Sequence, residues 1–232
     1  MARTQRIDMA AKLARQLGWT AHFKANLLKH DGGEYGNALL TDLPVLDCKN
    51  TLLPQVRPTE PRGLLQATLL FQGREIEVLT THLDAGRRDD ERCLQAVAVL
   101  AVLSKLPVTR PFVLCGDFND TSQGPAYALL ARELLDVWAN LHPDTDVYTI
   151  PAHKPQSRID FFWVAATGPQ PTQTEVLSGE ASDHLPIVAE FELPLSVPDC
   201  RVCRNSVNGM SPPASPQPAG FVEYSDSADM KA

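Results

Sequence analysis

The sequence predicts an α/β domain built on a mixed sheet, and three observations lead there. Segments with apolar residues at every second position alternate with segments of helical period. One short, continuous apolar run, Phe112-Val113-Leu114-Cys115, has the character of a strand inside a sheet covered on both faces. The polar motifs fall where these strands end, where open α/β sheets tend to place ligands.

In chain order, residues 5–17 read as a helix. Ile7, Ala10, Ala11, Ala14 and Leu17 share one face, and Gly18 stops it. Strands are expected at 20–25 and 36–41, separated by the turn-rich Asp31-Gly32-Gly33. The clearest local signal is a hairpin. Leu65, Ala67, Leu69 and Phe71 alternate up to the Gln72-Gly73 turn. Ile76 and Val78 then alternate with Glu75 and Glu77, and the strand runs on to His82.

A long helix over 88–105 is apolar around much of its circumference, which predicts deep burial with Leu94, Val97, Ala98 and Ala101 as one stripe. Pro107 and Pro111 close it off, and the apolar strand delivers Gly116-Asp117-Phe118-Asn119. A short helix at 125–132 and strands at 158–164 and 185–193 complete the domain, which spans 1–193. The remainder, 194–232, is dominated by Pro, Ser, Asn and Gly without periodicity and reads as a disordered tail.

The chain has 232 residues, 44% hydrophobic and 21% charged, with a net charge of −7. That charge argues against a broad basic nucleic-acid footprint but not against a site where a metal supplies local positive charge. No apolar run reaches the roughly 18 residues needed to span a bilayer. The N-terminus has no secretory pattern. The five cysteines are scattered, and Cys93 and Cys115 sit in apolar surroundings. A reducing, cytoplasmic location is therefore expected. Cys200 and Cys203 form a lone Cys-x-x-Cys without the second ligand pair a zinc site needs.

Four segments beside apolar strands carry acid, amide or imidazole groups: Thr81-His82-Leu83, Gly116-Asp117-Phe118-Asn119, Arg158-Ile159-Asp160 and Ser182-Asp183-His184. Each alone has a plain structural reading. Asp-x-Asn forms turns, a histidine after a strand packs or lies at the surface, Arg158/Asp160 could be an ion pair, and Asp183-His184 an ordinary turn. Gathered at adjoining strand ends, they offer what phosphate-ester hydrolysis requires: an activated water, a way to hold anionic oxygens and a donor for the leaving group.

Gly-Asp-Phe-Asn, Arg-Ile-Asp-Phe-Phe and Ser-Asp-His-Leu-Pro-Ile-Val resemble the signature segments of the endonuclease/exonuclease/phosphatase superfamily. This superfamily includes DNase I-like nucleases, abasic endonucleases, sphingomyelinases, deadenylases and inositol-polyphosphate phosphatases. The resemblance covers about residues 3–193 and extends to Gly33–Leu40, Glu60-Pro61-Arg62-Gly63 and Thr81-His82-Leu83-Asp84. It implies a DNase I-like four-layer α/β sandwich, two mixed sheets packed face to face and flanked by helices.

The resemblance also implies roles. Asp117 orients or deprotonates the attacking water, and Asn119 holds that water or a phosphate oxygen. His184 stabilises charge on the phosphate with Asp160 fixing its tautomer. His82, paired with Glu60, meets the phosphate or leaving group from the other side. Arg62 belongs with Glu60 to the substrate-binding set, Arg158 contacts or supports the phosphate, and Asp183 contacts the metal. The expected ion is Mg²⁺, with Mn²⁺ as its substitute, and the expected partner is a phosphate-ester substrate (lipid, small molecule or nucleic acid).

Members of that superfamily normally open with a strand bearing Asn and a second strand ending in Gln-Glu, whose Glu is the principal metal ligand. Here the only acid before Asp31 is Asp8, inside the expected helix. The expectation is a domain incomplete at its N-terminus and a metal-dependent phosphoesterase impaired accordingly. The alternative is a non-catalytic binding or scaffold domain on the same fold.

Overall fold

The computed structural model describes residues 7–29 and 32–193. The tail 194–232, with Cys200 and Cys203, lies outside the described residues. The elements in chain order are α1 (Met9–Leu17), β1 (Thr20–Leu28), β2 (Glu34–Thr41), β3 (Val45–Leu52), β4 (Gly63–Phe71), β5 (Arg74–His82), α2 (Asp89–Leu103), β6 (Phe112–Asp117), α3 (Pro125–Leu130), β7 (Leu135–Asp136), α4 (Val137–Leu141), β8 (Asp160–Val164), β9 (Gln170–Val176) and β10 (Ile187–Glu192).

A six-stranded mixed sheet in the order β3-β4-β5-β6-β8-β7 forms the centre. Its β4–β5 hairpin turns at Gln72-Gly73, both in left-handed backbone conformations. β6 lies parallel to β5 after the α2 crossover, and β8 returns antiparallel. On one face of the sheet Leu64, Leu79, Leu114, Phe161 and Trp163 pack against Ala96, Val99 and Leu103 of α2 in the main core. The opposite face carries two antiparallel pairs, β1–β2 and β9–β10, rather than one continuous second sheet. Tyr35 of β2 reaches His82 on that face, and Phe191 of β10 meets Phe162 with ring centroids 6.1 Å apart. Coverage there is lighter: Ile76, Val78, Thr80, Val113, Cys115 and Phe162 are only half-buried.

The helices depart from their expected faces. In α1, Asp8 caps the N-terminus by accepting from the Ala11 N–H, and Gly18 ends the helix at φ 72°. Only Ala14 is buried, while Ile7, Met9, Leu13 and Leu17 are exposed. In α2 the buried side chains are Glu91, Arg92, Gln95, Ala96, Val99 and Leu103, whereas Leu94 and Val97 are exposed. Asp89 and Asp90 open the helix exposed, whereas Glu91, Arg92 and Gln95 are buried because they satisfy polar groups of neighbouring loops. Gln95 accepts from the Asp84 N–H and donates to the Pro54 carbonyl, and Glu91 accepts from the Val56 N–H and the Thr59 hydroxyl.

Gly116 sits in β6 beside Thr81 at φ 143°, and a Cβ there would lie 2.0 Å from the Thr81 carbonyl oxygen. Its missing side chain lets β6 approach β5 closely enough to bring their ends level. Gly116→Ala is expected to cost about 3 kcal/mol or more through backbone strain and a displaced strand. A thermal melt within a degree or two of the parent would contradict this.

Candidate active site

Register builds the site. His82 at the end of β5 pairs with Asp117 at the end of β6, and Asp117 pairs with Asp160 at the start of β8. Because side chains alternate along strands, residues opposed in register share a face. The three groups therefore emerge side by side on the face toward the two hairpins. His82 Nε2 lies 3.3 Å from Asp117 Oδ2.

His184 arrives from the loop before β10. Its Nδ1 is 2.9 Å from Asp160 Oδ2, and its Nε2 is 3.9 Å from Asp117 Oδ2. The connector after α4 holds that loop, since the Ala152 N–H donates to the Asp183 carbonyl and the Leu185 N–H to the Thr149 carbonyl. Asn119 adopts φ 48°. Its backbone N–H donates to Asp117 Oδ1 at 2.8 Å, and its amide donates to the Leu83 carbonyl at 3.0 Å.

Crowding shifts the ionisations. Burial pushes the Asp117 carboxyl up to about 6, and the negative charge of Asp160 adds to this against the opposing pull of the Asn119 N–H, His184 and Arg62. Burial, with the positive charges of Arg62 and His184, lowers His82 to about 4, so its contact with Asp117 is that of a neutral imidazole. Burial also works against a charged His184, but the Asp160 hydrogen bond and the charges of Asp160, Asp117 and Asp183 outweigh it and raise its pKa.

Asp117, Asp160 and His184 each present a donor atom, all within 4.8 Å of one another. Two carboxylates and one imidazole make an oxygen-dominated donor set, which fits a divalent cation of the Mg²⁺ or Mn²⁺ kind.

The structure does not bring every expected residue into this cluster. Asp183, expected at the metal, is exposed and outside the donor set. Arg158 turns away, donating to both carboxylate oxygens of Asp136 at 2.9 and 2.7 Å and lying over the Phe161 ring. That pairing occupies the fork that would have met a phosphate. Glu60 does not pair with His82. It pairs with Lys29 at 3.6 Å and Arg62 at 3.3 Å, while the partner of His82 Nδ1 is the Tyr35 hydroxyl at 3.2 Å. Arg62 is 6% exposed, and its Nε and Nη1 are buried without a hydrogen bond. Tyr35 fell just outside the strand expected at 36–41 and was named only within the Gly33–Leu40 segment.

No curated protein sequence matches this chain. Solved structures do. The human nocturnin catalytic domain with bound sulfate is 22% identical over 81% of this chain and 77% of its own, with a TM-score of 0.69. A Bacteroides thetaiotaomicron mannosyl-6-phosphatase is 19% identical over 79% and 82%, with a TM-score of 0.65. D. rerio TDP2, complexed with a single-strand DNA product, is 20% identical over 78% and 80%, with a TM-score of 0.61. At these identities the likeness is one of fold, and the fold is the DNase I-like one expected. The family model for the Endonuclease/Exonuclease/phosphatase family matches residues 3–184, and the chain belongs to that family.

Proposed function

We propose that this cluster hydrolyses a phosphate ester with the help of Mg²⁺, or of Mn²⁺ in its place. The observation that carries the reading is the meeting of His82, Asp117, Asp160 and His184 at three paired strand ends and one tethered loop. The Asp117 and Asp160 carboxylates would hold the cation, which when bound would supply positive charge to the phosphate oxygens.

The chain's own residues do the rest. Asp117, ionised above about pH 6, accepts the proton of the attacking water. Asn119, its amide anchored to Leu83, fixes Asp117 through its backbone N–H and offers its remaining oxygen to that water. Asp160 holds the His184 ring by Nδ1 and favours its charged form, so His184 can meet developing negative charge. Asp183 adds to the field that favours this form. Arg62 has unmatched buried N–H groups, which suit a phosphate oxygen, and Glu60 steadies it. His82 stays neutral and offers an N–H to the leaving group.

No helix among the described residues is long and apolar enough to cross a membrane. Cys48, Cys93 and Cys115 are free thiols, which suits a reducing cytoplasm. The net charge of −7 favours small or lipid phosphate esters over long duplex DNA.

The test is hydrolysis of bis-p-nitrophenyl phosphate with Mg²⁺ or Mn²⁺ and with EDTA. Metal-dependent turnover that falls at least about 100-fold in His184→Ala is the expected result. A folded protein with no turnover in either metal would overturn the reading in favour of a non-catalytic binding domain.

A further inference from the structure

We propose that α1 is a membrane-surface docking helix, whose exposed apolar stripe and basic flank seat this face of the protein on a bilayer containing anionic phospholipid. The bare stripe has a structural cause. α1 runs from its Asp8 cap to Gly18 and packs on β1 and β2. Two paired strands lie only about 5 Å apart, which is narrower than the apolar arc of a helix. Ala14 alone is buried, and the rest of the arc stays open. Met9, Leu13 and Leu17, spaced i, i+4 and i+8, are 48%, 46% and 54% exposed and form a line along two turns. Trp19 follows the cap at 43% exposed, and its N–H donates to the Ala14 carbonyl at 2.9 Å, which keeps it at the helix end.

Charge identifies the occupant. Residues 1–29 carry six basic side chains, Arg3, Arg6, Lys12, Arg15, Lys24 and Lys29, against one acid, Asp8, in a chain whose net charge is −7. Such asymmetry within one chain points to a polyanionic surface. In α1 itself the basic residues are Lys12 and Arg15, both exposed, and neither is within ion-pair distance of a carboxylate among the described residues. Nucleic acid has the negative charge but no apolar phase for Met9, Leu13 and Leu17 to enter. A bilayer offers both. Its headgroups meet the two cations, whose long stems can reach back from the stripe, and its acyl boundary takes the stripe.

A second copy fits less well. A two-fold contact sets one patch against itself, so Lys12 and Arg15 of both copies would line a single seam. The acidic remainder of the chain is repelled by an anionic bilayer, which leaves this basic face as the one that approaches. α1 contributes no residue to the cluster of His82, Asp117, Asp160 and His184, so docking is decided apart from hydrolysis.

The test is flotation of the full chain with vesicles of phosphatidylcholine alone and of phosphatidylcholine with about 30% phosphatidylserine. The parent should bind the anionic vesicles and leave the neutral ones, and binding should weaken as salt rises. Lys12→Gln/Arg15→Gln should weaken it roughly 25-fold, about fivefold for each basic group at the surface. Leu13→Ser/Leu17→Ser should weaken it at least about tenfold. All four side chains are exposed, so both variants should melt within a few degrees of the parent. A parent that ignores anionic vesicles overturns the proposal. Equal binding to neutral vesicles overturns it too, as does binding that either variant retains in full. A parent that leaves vesicles alone and forms a dimer lost in Leu13→Ser/Leu17→Ser would give the stripe to a second copy instead.

Discussion

Asp117→Asn should abolish metal-dependent phosphodiester hydrolysis and yet make the metal-free protein more stable above pH 6. The loss follows from chemistry: an amide can neither accept the proton of water nor offer a charged oxygen to a cation, and about 1000-fold in rate is expected. The gain follows from the raised pKa. Asp117 titrates at about 6 in the fold against 3.8 for the unperturbed group. Below 3.8 both states are protonated and the folded protein carries no penalty. As pH rises through 6, the fold must ionise a buried carboxylate beside Asp160 and loses stability that the neutral form kept. Two units correspond to at most about 3 kcal/mol.

Asparagine keeps the oxygen that accepts from the Asn119 N–H and never ionises. Thermal melts in EDTA should therefore show the variant several degrees above the parent at pH 8 and level with it at pH 4. A variant less stable than the parent at pH 8 would show that Asp117 is a structural carboxylate, stabilised rather than strained by its surroundings.

Arg158→Ala is expected to cost about 3–5 kcal/mol of folding stability. Arg158 and Asp136 are 12% and 4% exposed and joined by two parallel hydrogen bonds. Asp136 also accepts from the Tyr127 hydroxyl and caps α4 through the N–H groups of Trp138 and Ala139. Removing the guanidinium leaves a buried carboxylate without its counter-charge, and also strips the cation from the Phe161 face. Neutralising the carboxylate in Arg158→Ala/Asp136→Asn should recover part of the loss, because the penalty comes chiefly from the orphaned charge. A normal melt combined with a raised KM for Arg158→Ala would instead return Arg158 to the phosphate, where the motif alone had placed it.

These two residues also show where sequence reading succeeds and fails. Asp117 was legible because an apolar run ends on it, and a strand end is where a polar group escapes burial. Arg158 carried an equally suggestive motif, but its partner Asp136 lies 22 positions away on β7. The same limit explains α2. Its apolar residues predicted burial around much of the helix, yet the buried stripe begins with Glu91, Arg92 and Gln95, which serve loop groups at 54–59 and 84–86. β3 and β9 left little trace because they are edge strands with mostly polar, exposed side chains. Backbone pairing holds such strands, and side-chain pattern does not report it.

By itself the sequence determined the α/β class, the β4–β5 hairpin, the polar groups at the ends of β5 and β6, and the family to which their motifs belong. Those are consequences of local alternation and of turn chemistry at Gln72-Gly73. Only the tertiary structure decided which groups meet. It set His82, Asp117 and Asp160 level by register, drew Arg158 away to Asp136, and seated Tyr35 on His82. The reason is physical: a residue's own periodicity dictates which face it occupies, whereas its partner is chosen by hydrogen-bond register between segments distant in the chain.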